Sequence, residues 1–165
     1  MKSIYGIATA AIGALLATQA LHAADIARIY KGDFPIASVV TVPTGATTYY
    51  LSGIPAPVIN PNAPKGSVES YGDTKTQTIG TLNAIKGILA EQKLTMGDVV
   101  SMHVYLVGDP AKDGKMDFAG MMEGYTQFFG TKDQPNKPAR SAFQVANLVA
   151  PGYLLEIEVI AVKGK

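Results

Sequence analysis

Arg140 and Glu156, with Glu158 two positions further on, are the residues of this chain best suited to act together on a small acid. An arginine presents a planar fork of N–H donors that grips a carboxylate in bidentate fashion, and a glutamate beside it can orient or deprotonate a water molecule. Both residues lie in β-type segments, Arg140 to Ala146 and Leu154 to Val162, separated by a loop that contains Pro151-Gly152. A hairpin of the two would bring the charged heads together, with Glu156 and Glu158 on the same face because side chains alternate along a strand. The same residue types on adjacent strands also make an ordinary cross-strand ion pair, and spacing alone leaves both readings open.

Other chemistries find little support. The chain has no cysteine, which excludes thiol catalysis and thiolate metal sites. His103 is the one histidine beyond the first 24 residues, so no second imidazole exists there for a zinc or iron site, and its place between Met102 and Val104 suits a structural role. A Ser-His-Asp pattern and a phosphate loop are absent, and Gly120-Met121-Met122-Glu123-Gly124 lacks the spacing of a dinucleotide fingerprint. The net charge of +1, with both signs interspersed, provides no basic stripe for a nucleic-acid partner.

Periodicity predicts the elements that must position these residues. Ile36 to Val42 is short and β-branched, and Thr47 to Gly53 reads as its hairpin partner. Pro55, Pro57, Pro61 and Pro64 mark Ile54 to Lys65 as a surface loop. Thr74 and Gln77 stand as a capping box before a helix whose stripe is Ile79, Leu82, Ile85, Ile88 and Leu89, and the low propensity of Gly80 and Gly87 suggests close packing there. Val99 to Val107 alternates as a strand. Phe118, Met121, Met122, Tyr125, Phe128 and Phe129 trace a second amphipathic helix, with the two methionines as core filling. The expected order is β-β-α-β-α-β-β, an α/β (α+β) fold with two helices packed on one face of a mixed sheet. Its other face then needs a cover, and an oligomer is the natural one.

At the N-terminus, Lys2 precedes a mainly apolar run from Ile4 to Leu16 that continues through small residues to Ala23-Ala24, the pattern of a secretory signal peptide over residues 1–24. Thr9, Thr18, Gln19 and His22 dilute it too much for a convincing membrane span. Cleavage after Ala23 or Ala24 would leave residues 25–165 as one domain, exported to the bacterial periplasm and free of the membrane; an uncleaved anchor is the alternative.

The run Pro138-Ala139-Arg140-Ser141-Ala142-Phe143-Gln144-Val145-Ala146, followed by Leu155-Glu156-Ile157-Glu158-Val159-Ile160-Ala161-Val162, closely resembles the signature of the RidA/YjgF family, also called endoribonuclease L-PSP. Ser52-Gly53, Leu82-Asn83-Ala84-Ile85, Met96-Gly97-Asp98-Val99-Val100 and Tyr125-Thr126-Gln127-Phe128-Phe129 fall in the family's order. The resemblance implies a chorismate-mutase-like fold, a homotrimer with sites between subunits, and cofactor-free, metal-free hydrolysis of reactive imines or enamines such as 2-aminoacrylate to 2-oxo acids and ammonia. By position it assigns the substrate carboxylate to Arg140 with the Ala142 N–H, the attacking water to Glu156, and nearby substrate contacts to Gly53, Ser52 and Tyr125. Two departures bear on the pocket. Ile36 follows Pro35 where the family often has tyrosine, and Met122 replaces a polar asparagine; the loop from Val149 to Tyr153 is also about one residue longer than in typical members. A non-catalytic module that captures small carboxylates is the competing reading, and ribonuclease activity ranks third for want of a basic groove.

Overall fold

A computed structural model describes residues 25–164, so the expected leader at 1–24 lies outside the described residues. The strands are β1 (Ala27–Ile29), β2 (Val39–Thr41), β3 (Thr47–Pro55), β4 (Val99–Leu106), β5 (Ala139–Gln144) and β6 (Leu155–Lys163). The helices are α1 (Val68–Tyr71), α2 (Thr74–Glu91) and α3 (Phe118–Tyr125). A four-stranded sheet runs in the order β3-β6-β4-β5, antiparallel except for the parallel pair of β4 and β5, and β1 with β2 forms a separate two-stranded ribbon.

The mixed sheet with its helices on one face follows from two periodicities that meet. Along β4, Met102, Val104 and Leu106 are buried while Ser101, His103 and Tyr105 are only half-buried. Leu155, Ile157 and Val159 of β6 join the same core as Leu82, Ile85 and Leu89 of α2 and Met121 and Tyr125 of α3. Each fully buried leucine or isoleucine contributes about 1.5–3 kcal/mol. The opposite sheet face carries Tyr50, Glu156, Glu158, His103, Tyr105 and Phe143, and Tyr50 there is 78% exposed.

Three expected local arrangements differ. Ile36 to Val42 does not pair with Thr47 to Gly53: β2 pairs with the short β1, and β3 pairs with β6. Long-range pairing against the apolar β6 outcompetes a local hairpin, and β3 runs on through Ile54 and Pro55, opposite Ile157 and Glu156. A proline is tolerated there because β3 is an edge strand of the sheet. The predicted capping box is also displaced. Asp73 is the N-cap, its Oδ1 accepting from the Thr76 N–H at 2.8 Å, since a carboxylate one residue earlier is the stronger acceptor. Finally, Gly80 and Gly87 have different roles: a side chain at Gly80 would press on Pro57, whereas one at Gly87 would point into open space. A close approach of α3 to α2 lies instead at Gly124, where a Cβ would meet Thr78.

Freed from capping, Gln77 is fully buried and clamps the chain that enters β6. Its Nε2 donates to Gly72 O and Gly152 O, both at 2.9 Å, and its Oε1 accepts from the Leu154 N–H at 2.9 Å. Gln77→Ala leaves these backbone groups without partners in a dry site, so it is expected to lower stability by about 2–4 kcal/mol in urea unfolding. A loss under about 0.5 kcal/mol would show that the clamp is dispensable.

Candidate functional site

The structure separates Arg140 and Glu156 within one chain. They do not sit on a hairpin, because β4 lies between β5 and β6. Arg140 is opposite Met102, and Glu156 is opposite Tyr105, three residues along the same strand. An odd offset sends the two side chains to opposite faces of the sheet, and strand geometry places their Cα atoms roughly 14 Å apart. Arg140 therefore faces the helices, while Glu156 faces the uncovered side. The expectation of a local convergence fails because a parallel strand has to be reached by a crossover, here through α3, so consecutive β5 and β6 cannot be hairpin neighbours.

Arg140 occupies an unusual setting for a cation. Its guanidinium carbon lies 4.3 Å from the centre of the Tyr125 ring and 5.9 Å from that of Phe118. Nη1 is 3.1 Å from the Met122 sulfur and 3.9 Å from that of Met121, both weak acceptors. Nε is buried without a hydrogen-bond partner. The ion pairs among the described residues are Lys75–Glu123, His103–Glu158 and Lys112–Asp117, and none involves Arg140. Burial lowers the guanidinium pKa from its ordinary value, opposed by Tyr125, but an arginine remains charged. A charged, partly dehydrated fork without an anion is the state in which a carboxylate ligand gains most.

Tyr125 supports this group from below. Its hydroxyl donates to Pro35 O at 3.0 Å, and burial pushes the phenol well above its usual range, so it stays protonated. Met122 is not pure core filling: Met121 is fully buried, but Met122 is half-exposed beside the guanidinium. Phe34, Pro35, Ile36, Phe118 and Met122 line a cleft of about 370 Å³ that ends at Arg140. A second hollow of about 430 Å³ includes Ser38, Ser101, His103 and Ser141. Ser101, His103 and Ser141 project from the sheet face opposite to the guanidinium, while Ile36 and Arg140 itself also border this hollow.

Ala142 shares the helix-side face with Arg140. The Val145 N–H donates to Leu106 O, and N–H direction alternates along a strand, so the Ala142 N–H points away from β4 toward the outer edge of β5. Among the described residues no strand covers that edge.

Glu156 belongs to a different neighbourhood. A bulge between Leu51 and Ile54 interrupts the β3–β6 ladder, placing Ser52 and Gly53 at the irregularity. A side chain at Gly53 would overlap the Glu156 carboxylate, so glycine is what allows the carboxylate to lie against that backbone. Ser52 is exposed beside it. Glu158, two residues on, accepts from His103 at 2.8 Å, and this contact, the largest cause, holds its carboxyl below the usual range. His103 thus has a structural partner on the open sheet face. Among the described residues, no three His, Asp or Glu side chains gather as metal ligands would.

The cleft residues Phe34 and Phe118 were not singled out as site residues in the sequence. Phe118 was legible in principle, being four residues before Met122 and seven before Tyr125 on one helical face. Phe34 lies in a segment whose approach to α3 only the tertiary structure shows.

The four-stranded mixed sheet with helices on one face and an arginine-ended cleft defines an α+β protein of the chorismate-mutase-like kind. The profile of the endoribonuclease L-PSP family matches residues 34–163. A RutC family protein of Pyrococcus horikoshii is 41% identical over 103 residues, covering 62% of this chain and 73% of that protein. A protein of Escherichia coli K12 named as the reactive intermediate deaminase TdcF is 36% identical over 95 residues, covering 58% of this chain and 67% of that one. A crystal structure of E. coli TdcF with bound serine superposes with a TM-score of 0.54 at 31% identity, covering 74% of this chain and 84% of that one. The chain belongs to the endoribonuclease L-PSP family, the RidA/YjgF group that its C-terminal strands resemble.

Proposed function

We propose that this protein hydrolyses reactive imines or enamines of small 2-amino acids to 2-oxo acids and ammonia, at a site completed between copies of the chain in a homotrimer. The observation that carries the reading is the partly dehydrated Arg140 guanidinium, which has no anion among the described residues and closes a cleft of ligand size. Kinship with a protein named a reactive intermediate deaminase supports the chemistry. The opposite-face placement of Arg140 and Glu156 supports the second copy, because one small acid cannot span the sheet within a chain.

In this mechanism Arg140 and the edge-facing Ala142 N–H hold the substrate carboxylate, while Glu156, Gly53 and Ser52 come from a neighbouring copy. An enamine first takes a proton on carbon and gives one up from nitrogen, through solvent, and so becomes the imine. Glu156 accepts a proton from water as the water oxygen bonds to the imine carbon. The nitrogen takes up that proton to give the neutral carbinolamine, and the hydroxyl proton then passes to the nitrogen by way of Glu156 as the C–N bond breaks, so that ammonia departs and a 2-oxo acid remains. Atoms and charge balance with water as the only co-reactant.

The competing reading is a carboxylate-binding module without turnover, favoured by the apolar Ile36 and Met122 beside Arg140, which remove polar groups that could assist the reaction. The leader pattern at residues 1–24 supports an exported protein, one that meets substrates outside the cytoplasm. To test the proposal, the protein is added to imines generated in place by an amino-acid oxidase, and 2-oxo acid release is followed against semicarbazide trapping. Release should rise in proportion to protein. Saturable binding of 2-oxo acids with no acceleration would select the binding module.

A further inference from the structure

Resting on the reading of Arg140 as a carboxylate anchor, we propose that the side chain of the bound acid is apolar and larger than a methyl group, of leucine or phenylalanine class, and occupies the cleft of Phe34, Ile36, Phe118 and Met122. The cleft is built as a hydrophobic receptacle with one charged end. Its volume of about 370 Å³ falls in the range of small-molecule sites and far exceeds what a pyruvate-sized acid fills. Phe34 is 63% and Phe118 43% exposed, so two aromatic rings stand with apolar surface uncovered beside the guanidinium.

The two polar features that could serve a hydroxylated ligand are spent or misplaced. The Tyr125 hydroxyl is engaged by Pro35 O, and the serine-lined hollow, which Ile36 and Arg140 also border, takes its Ser101 and Ser141 side chains from the sheet face opposite to this cleft. The Met122 sulfur is already against Arg140 Nη1. A polar side chain entering this cleft would give up water and find no partner, whereas a small ligand would strand water against rings and thioether. An isobutyl or benzyl group removes that apolar surface from water.

Calorimetric titration with pyruvate, 3-hydroxypyruvate, 4-methyl-2-oxopentanoate and phenylpyruvate tests this, together with turnover of the imines made from alanine, serine, leucine and phenylalanine. The two larger oxo acids are expected to bind about tenfold or more tightly than pyruvate, with 3-hydroxypyruvate no better than pyruvate. Met122→Asn and Phe118→Ala should each narrow that ratio to about threefold or less. Selective binding without turnover of any imine would uphold the cleft's role and defeat the deaminase reading. Turnover with equal preference for the alanine and leucine imines, and equal binding of their oxo acids, would overturn the inference and leave the deaminase standing. Failure of all four oxo acids to bind would overturn it together with the anchor.

Discussion

Arg140→Met is expected to abolish carboxylate binding and turnover, by about 10²–10³-fold in kcat/KM, while leaving the folded state as stable as the parent to within about 1 kcal/mol. The two halves of this result have one cause. Within the fold the guanidinium has exchanged part of its water for two methionine sulfurs and the face of Tyr125, with Nε left without a partner among the described residues. The stacking returns about 0.5–2 kcal/mol, a gain of the same order as the dehydration cost it opposes. Methionine keeps the packing stem against Tyr125 and removes the charge, so the fold loses little. The ligand loses the bidentate partner proposed for it. Isothermal titration with a 2-oxo acid and a thermal melt of the same sample check both halves. A variant that binds normally, or one that melts far below the parent, would show that Arg140 serves structure rather than recognition.

Glu156→Gln should lower kcat by about 10²–10³-fold with KM little changed, since an amide keeps the shape and hydrogen bonding of the carboxylate but cannot take a proton from water. The carboxylate is placed by features that the substitution preserves: the Gly53 backbone against which it lies, the bulge at Ser52–Gly53, and the Gln77 clamp at the entry to β6. Steady-state kinetics on one imine, with retained oxo-acid binding as the control for folding, separates this from misfolding. Unchanged kcat would remove Glu156 from the chemistry.

The sequence showed more of the fold than of the site's geometry, for reasons that specific residues make plain. Strong alternation at Met102, Val104 and Leu106 and helical spacing at Leu82, Ile85 and Leu89 reflect burial in one core, so β4 and α2 are legible from pattern alone. Strand pairing is a long-range property. Thr47 to Gly53 has the composition of a hairpin partner, yet its ladder forms with β6 more than a hundred residues later. The same blindness made Arg140 and Glu156 look like neighbours, when β4 stands between their strands. The identity of Arg140, Glu156, Gly53 and Ala142 as candidates came from residue type and resemblance. Their division between two sheet faces required register, which periodicity does not encode.

The division of the site between copies of the chain is tested most directly by complementation. Arg140→Met and Glu156→Gln chains, carrying different tags and co-expressed in equal amounts, are purified as mixed assemblies and assayed on one imine. If each site takes Arg140 from one copy and Glu156 from the next, every mixed trimer, whether two-to-one or one-to-two, has both groups at one of its three interfaces, and activity returns to roughly a third of the parent's. Mixed assemblies as inactive as the two separate variants would contradict the shared site.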